Sequence, residues 1–381
     1  MSYLKNSTHY NNWIFTSDEL TRIARLRHVK VKKALRLEHA QIAAAAASGT
    51  ASVKPSRKPR SFAALVPAST TATRDLYDWN DEVDLELEQE EEREEKEGLQ
   101  VTPLIEYLSL EQEELVRAFY EAKVQESCTQ LFRTSDKVKC CAVMLYKRFY
   151  LSNSVMEFHP KYIVPTAIYV AGKVEEQYIN VDTIAEQLHV DHKHVIGHEM
   201  VLLEGVRFQL IMYHPFRAVL GFVDDFRGFR KSQGRDLPLD ALQKLHANSC
   251  VVLNELLLTE LPLCHYPAYL SLAAVRHVAQ EMESDPKSGV SKSAMDEYIQ
   301  RSKFSQGKDL DAVHTQLDLV LKRYGELKDQ QTQREQDPVV AEKHAKQIKK
   351  VYKKLKAFHV EEGGGDGGKK EKKEKDSKKR K

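Results

Sequence analysis

From about residue 104 onward, apolar residues recur every three or four positions and almost never alternate. That spacing predicts amphipathic helices rather than strands. Five helices are expected between Leu104 and Leu210. In the first, Val116, Tyr120, Val124, Ser127 and Leu131 step round one face, behind Ser109 and the carboxylates of Glu111, Glu113 and Glu114, a helix-start signature. The second carries Val138, Cys141, Ala142, Leu145 and Phe149 along a single stripe. The third opens at Pro160, which lacks an amide hydrogen and so suits a first turn. Its stripe is Ile163, Ala167, Val170, Ala171 and Val174, and Pro165 is expected to bend its start. Asn180 caps a short fourth helix through Ile184, Ala185 and Leu188. The fifth runs from about His192 to Arg207 and is expected to turn Ile196, Met200 and Leu203 inward. After His214-Pro215 comes a second set: Val219 to Phe229, Leu239 to Leu258, Tyr266 to Met282, Ser293 to Ser302 and Leu310 to Leu327. The chain therefore reads as all-α, with two sets of about five helices that agree in architecture though not visibly in sequence.

The flanks differ. Thr16 or Ser17, followed by Asp18 and Glu19, starts a basic amphipathic helix bearing Leu20, Ile23, Ala24, Arg27, Val31, Ala34 and Leu35. Such a helix either covers the edge of a core or also helps hold a partner. The predicted organisation is an N-terminal basic helix within 1–42, a disordered insert over 43–103, helical repeats over 104–212 and 213–330, a basic helix within 331–360, and a disordered Lys-rich tail over 361–381. The insert holds an Ala tract, Ser/Thr/Pro clusters, the basic KPSRKPR and the acidic run Asp81 to Glu97, with little to bury.

The formal net charge of +2 conceals this segregation of basic and acidic blocks. The five cysteines form no C-x-x-C pair and sit in apolar surroundings, as core thiols in a reducing compartment do. No secretory signal is legible at the N-terminus, and no apolar run approaches the ~20 residues that span a bilayer, so a soluble intracellular protein is expected.

Catalytic motifs are weak. There is no phosphate-cradling glycine loop between a strand and a helix, and no nucleophile elbow. His194 and His198 lie four apart and could share a metal with His189 or His192, but no H-E-x-x-H pattern supports it, and no metal or cofactor is expected. Lys173 and Glu199 are either two surface charges or a pair flanking an apolar groove, where they would hydrogen-bond a partner's main chain. The lysine-rich KKEKKEKDSKKRK and KPSRKPR attract phosphate without reading sequence, and serve more commonly as nuclear import signals. A nuclear location is expected, with no membrane contact and no direct nucleic-acid binding by the folded repeats.

The segment YKRFYLSNSVMEFHP, followed by AGKVEE, resembles the cyclin box. NNWIFTSDELTRIARLR is similar to the N-terminal helix of the cyclin H subfamily, and HPFRAVLGFVDDF to the opening of its second fold. The resemblance covers roughly 13–39 and 104–330. It implies two tandem five-helix cyclin folds with flanking helices, and a non-catalytic subunit that binds and activates a cyclin-dependent kinase. It further implies an assembly factor as third subunit, the setting of transcription factor TFIIH, and as substrates the polymerase II C-terminal repeat and the activation loops of cell-cycle kinases. By position, Lys173 and Glu199 match the family's lysine–glutamate pair at the kinase interface, with Val170, Val174, Glu175, Leu203, Phe208 and Leu210 beside them. Lys123 stands where cell-cycle cyclins carry the tryptophan of a substrate-docking patch. Related readings are a cyclin C-like transcriptional cyclin and a TFIIB-type DNA-binding adaptor, which shares the double fold but needs a basic stripe along the repeats.

Overall fold

The structure is a computed structural model and describes residues 6–47, 89, 106–285, 287–302 and 309–359. Apart from Gln89, the insert beyond Ala47 and the lysine-rich tail fall outside the described residues. Among those described, every regular element is helical. A short α1 (Thr8–Asn12) precedes α2 (Ser17–Ala47). The first repeat comprises α3 (Leu110–Glu126), α4 (Asp136–Ser152), α5 (Pro160–Val174), α6 (Val181–Gln187) and α7 (His192–Gly205). The second comprises α8 (Pro215–Ser232), α9 (Leu239–Leu257), a one-turn α10 (Leu261–Cys264), α11 (Pro267–Glu281), α12 (Lys292–Arg301) and α13 (Leu310–Gln336). A final α14 (Pro338–Phe358) turns back at Asp337, whose carboxylate accepts from the amides of Val339 and Val340.

Local chemistry sets these boundaries. Ser109 and Gln112 form a reciprocal capping box at α3, and the amide of Asp182 donates to Asn180 at α6. At α2 the amide of Glu19 donates to Thr16 Oγ1 while Thr16's own amide donates to the Glu19 carboxylate, so Thr16 is the cap. That helix runs five residues past its expected end at 42, through the Ala tract to Ala47; alanine is the strongest helix former. A π-helical turn at Ser127–Leu131 succeeds α3. Its wider winding rotates Leu131 out of the expected stripe and leaves it exposed.

Two apolar cores lie on either side of α4. Val138, Cys141, Ala142, Leu145 and Phe149 enter the first, with α3, α5, α6 and α7; Cys140, Met144 and Leu151 enter the second. Every residue from Val138 to Ser152 is buried. α2 spans both cores, giving Ile23 to the second and Val31 and Leu35 to the first. α14 closes the first core with Val351, Leu355 and Phe358. All five cysteines are free.

Burying α4 from Val138 to Ser152 strands three cations, and each finds its own partners. Lys139 pairs with Asp136 at 2.6 Å. Lys147 bonds Glu121 at 2.5 Å and the Thr259 carbonyl at 2.6 Å, tying the two repeats together. Arg148 donates to the Gln209 carbonyl at 3.1 Å and lies over the Trp13 ring, 4.7 Å from its centroid.

Candidate functional site

Lys173 stands in the last turn of α5 and Glu199 midway along α7. The helices pack side by side, and Lys173 Nζ meets Glu199 Oε1 at 2.7 Å. The pair is half-exposed, with side-chain accessibilities of 38% and 24%. Lys173 Nζ also lies 4.2 Å from the Tyr169 ring centroid. Burial disfavours the Lys173 charge, but Glu199 and Tyr169 outweigh it and raise its pKa. Small residues let α5 come this close to its own C-terminal turn. A methyl on Gly172 would sit 2.8 Å from the Gln177 carbonyl oxygen, and the close approach is fixed by the Gln177 amide, which donates to the Gly172 carbonyl at 2.9 Å.

The surface beside this pair is apolar, though not by the residues first expected. Ile196 and Met200 point outward at 50% and 56% exposure, and Leu203 is half-buried on the same edge. The inward stripe is Val195, Leu202 and Val206. This corrects the inward assignment of Ile196 and Met200; Leu203 packs, half-buried, against the first core as expected. α7 carries two apolar stripes one residue apart, and periodicity alone cannot choose between them.

The stripe continues through a strained loop. Arg207 and Phe208 both have positive φ, at 57° and 55°. Two successive left-handed non-glycine residues cost about 1–2 kcal/mol each. The geometry turns Phe208 outward, 56% exposed, with Ile211 likewise exposed and Leu210 against the first core. The surroundings hold the loop in place. Trp13 Nε1 and Asn12 Nδ2 both donate to Gln209 Oε1, at 2.8 and 3.0 Å, while Arg148 takes the Gln209 carbonyl. The amide of Tyr213 donates to His9 Nδ1 at 3.1 Å. Burial and the neighbouring charges of Arg148 and His214 push His9 down to about 3, so it stays a neutral acceptor. The N-terminal segment thus fixes the segment that presents Phe208, over separations of 196 residues and more that no local pattern reveals.

The remaining expected site residues are dispersed in role. Val170 is buried to 2% in the first core and does not reach the surface, which corrects its placement as a contact. Val174 and Leu203 are half-buried against that core. Glu175 is bonded to His214 Nε2 at 2.8 Å, across the junction between the repeats. Lys123 pairs with Glu126 at 2.6 Å on the exposed side of α3.

The histidines of the α7 entry are engaged in ring and backbone contacts. Tyr162 stacks on His194 and His198, with centroids at 4.4 and 5.5 Å, and His198 Nδ1 lies 2.7 Å from the His194 carbonyl. No group of three candidate metal ligands occurs among the described residues. No described helix is long and apolar enough to cross a membrane.

A family model described as "Cyclin, N-terminal domain" matches residues 97–211, the stretch that holds the first repeat and the Lys173–Glu199 pair. Residues 97–211 are thus similar to a cyclin N-terminal domain. The chain is 38% identical to Cyclin-H1-1 of Arabidopsis thaliana over 179 residues, 47% of this chain and 52% of that protein. It is 32% identical to Cyclin-H of Xenopus laevis over 186 residues, 46% of this chain and 56% of that one. The chain spans about half the length of these curated relatives. Its fold is similar to a chain in the structure of the CAK complex of Chaetomium thermophilum bound to ATP-gamma-S, with a TM-score of 0.64 at 19% identity, covering 94% of this chain and 89% of that one.

Proposed function

We propose that this chain is a cyclin, the non-catalytic subunit of a cyclin-dependent kinase, and that the outer face of α7 with the Phe208 loop is its kinase-binding surface. The observation that carries the reading is the joint exposure of Ile196, Met200 and Phe208 beside the Lys173–Glu199 pair. Apolar anchors rimmed by hydrogen-bonding charge are how a protein grips a partner and fixes its register. The surface acts by holding the kinase's mobile helix inward, so that its glutamate meets the catalytic lysine, a pair phosphoryl transfer requires. Moving a two-state kinase from 1:99 to 99:1 takes about 5.5 kcal/mol of preference for the active form. Three aliphatic or aromatic anchors at ~1.5–3 kcal/mol each supply that.

The cyclin H likeness supports a finer reading: a nuclear kinase module with an assembly factor as third subunit, within TFIIH. Its targets are then the polymerase II C-terminal repeat and the activation loops of cell-cycle kinases. The apolar character of the α7 face favours this over a DNA-binding adaptor, which needs a basic stripe there.

The test is reconstitution of the purified chain with a cyclin-dependent kinase subunit, with phosphorylation of a polymerase-repeat peptide as readout. The wild-type chain should activate the kinase. Lys173→Ala with Glu199→Ala should lose at least tenfold of that activation at unchanged helical content. Full activation by the double variant sinks the assignment of this surface.

A further inference from the structure

The outer face of α14 is a line of lysines. Val351, Leu355 and Phe358 turn toward the first core. Lys346, Lys349, Lys353 and Lys356 recur three or four residues apart on the opposite, exposed side, flanked by Lys343 and Lys350. The helix holds seven lysines, no arginine and one carboxylate, Glu342. Its neighbour α13 is balanced, with five acidic and four basic residues. Solubility of a surface helix therefore does not demand the excess seen in α14. Like charges three and four apart repel one another and weaken a helix, so this face is suited to meeting negative charge. Among the described residues, the ion pairs of α14 are those of Lys346 with Glu342 and of Lys354 with Glu106. Lys349, Lys353 and Lys356 are left without one.

The positive surface extends from α14 to two neighbours. Tyr107 packs on Phe358 with ring centroids 5.7 Å apart, and Arg36 of α2 lies 5.8 Å from the Tyr107 ring. At the other edge Tyr352 meets the His159 ring at 6.1 Å, His159 meets Tyr162 at 6.0 Å, and Lys161 Nζ lies 6.0 Å from the Tyr162 centroid. Tyr162 in turn stacks on His194 and His198 of α7. A run of ring contacts thus joins the lysine face to the helix whose outer side is read as the kinase-binding surface.

The chemistry of the face selects its occupant. Lysine is a compact point charge that suits phosphate, whereas arginine is the residue favoured for nucleic-acid recognition, and α14 has none. The four lysines of the line span ten residues, about 15 Å of helix. An extended peptide covers that distance in about five residues. Each phosphoserine brings a charge of about −1.5 to −2. A short segment with two phosphates therefore matches the line in both length and charge.

We propose that the lysine face of α14 docks phosphorylated segments of the kinase's own repetitive substrate, so that repeats already modified hold the next ones beside the catalytic subunit. This rests on the kinase reading given above. Docking turns phosphorylation of the neighbouring repeats into an intramolecular event at roughly millimolar effective concentration. Several phosphates are then added per encounter.

Binding is measured first on the full chain alone, without kinase, by fluorescence anisotropy of a labelled polymerase-repeat peptide with two phosphates and of its unphosphorylated twin. The phosphorylated peptide should bind at least tenfold more tightly, and should weaken at least tenfold between about 50 mM and about 300 mM salt. Lys346→Gln, Lys349→Gln, Lys353→Gln and Lys356→Gln together should remove at least tenfold of that affinity at an unchanged thermal midpoint. Equal binding of the two peptides, or phosphopeptide binding that survives loss of these lysines, overturns the proposal. Displacement of the phosphopeptide by duplex DNA at equal phosphate concentration marks a nucleic-acid surface instead and also overturns it. With kinase present, the four-lysine variant should phosphorylate a single-repeat peptide at the wild-type rate. From a peptide of several repeats it should give at least threefold less multiply phosphorylated product early in the reaction, and an unchanged product distribution contradicts the docking role. Lys173→Ala with Glu199→Ala should bind the phosphopeptide as the wild type does. Failure of the kinase-binding surface and failure of the α14 dock thus give different results.

Discussion

α4 and α7 look alike as sequence: each has apolar residues on more than one side. Their environments differ. α4 lies between two cores, and Val138 through Ser152 are all enclosed. α7 has a core on one side only, so Val195 and Leu202 are enclosed while Ile196 and Met200 face solvent. Apolar side chains on a second face thus mean different things by position. In α4 they join two repeats; in α7 they are exposed and surplus to the fold.

The contrast predicts opposite responses to substitution. The largest loss is expected inside α4. Leu145→Ala removes a fully buried side chain and should cost about 2–5 kcal/mol in denaturant unfolding. Next is Gly205→Ala at the end of α7's inner face. Its methyl would lie 2.5 Å from the buried Phe149 ring, and overpacking of this kind costs about 1–3 kcal/mol. If Gly205→Ala is silent, the inner face of α7 is not in close contact with α4.

Acid should act at a similar level. His9 and His159 each accept a backbone amide hydrogen bond through Nδ1, from Tyr213 and Lys161. Burial, with His359 and Lys161 nearby, pushes His159 down to about 3, as burial does for His9. The unfolded chain binds these protons near pH 6.5 and the folded chain only near 3. Stability should therefore hold above about pH 6.5 and fall as pH drops toward 3, by about 2 kcal/mol per histidine at pH 5. A denaturation midpoint that does not move between pH 7.5 and 5 would contradict this. The smallest stability effect is expected on α7's outer face. Ile196→Ala or Met200→Ala should fall within about 0.5 kcal/mol.

Much of this was readable in the sequence. The caps at Ser109 and Asn180, the proline start of α5, and the α4 stripe all rest on local chemistry. Lys173 and Glu199 were legible from the cyclin box resemblance, and the structure brings them together at 2.7 Å. Three features were not legible. The rotation of α7 was hidden because Val195/Leu202 and Ile196/Met200 are equivalent patterns one residue out of step. The exposure of Leu131 depends on a π-turn, which has no clear signal in sequence. The clamp of Trp13 and Arg148 on Gln209 joins distant parts of the chain, and only a tryptophan just before α2 hinted that something large is buried there.

The claim that α7's outer stripe serves a partner and not the fold is tested most directly by one variant with two readouts. For Met200→Ser with Phe208→Ser, affinity for a cyclin-dependent kinase subunit and the thermal midpoint of the free chain would be measured together. The account predicts affinity lower by at least tenfold, with a midpoint within about 2 °C of wild type. Unchanged affinity, or a midpoint that falls in step with affinity, would contradict it.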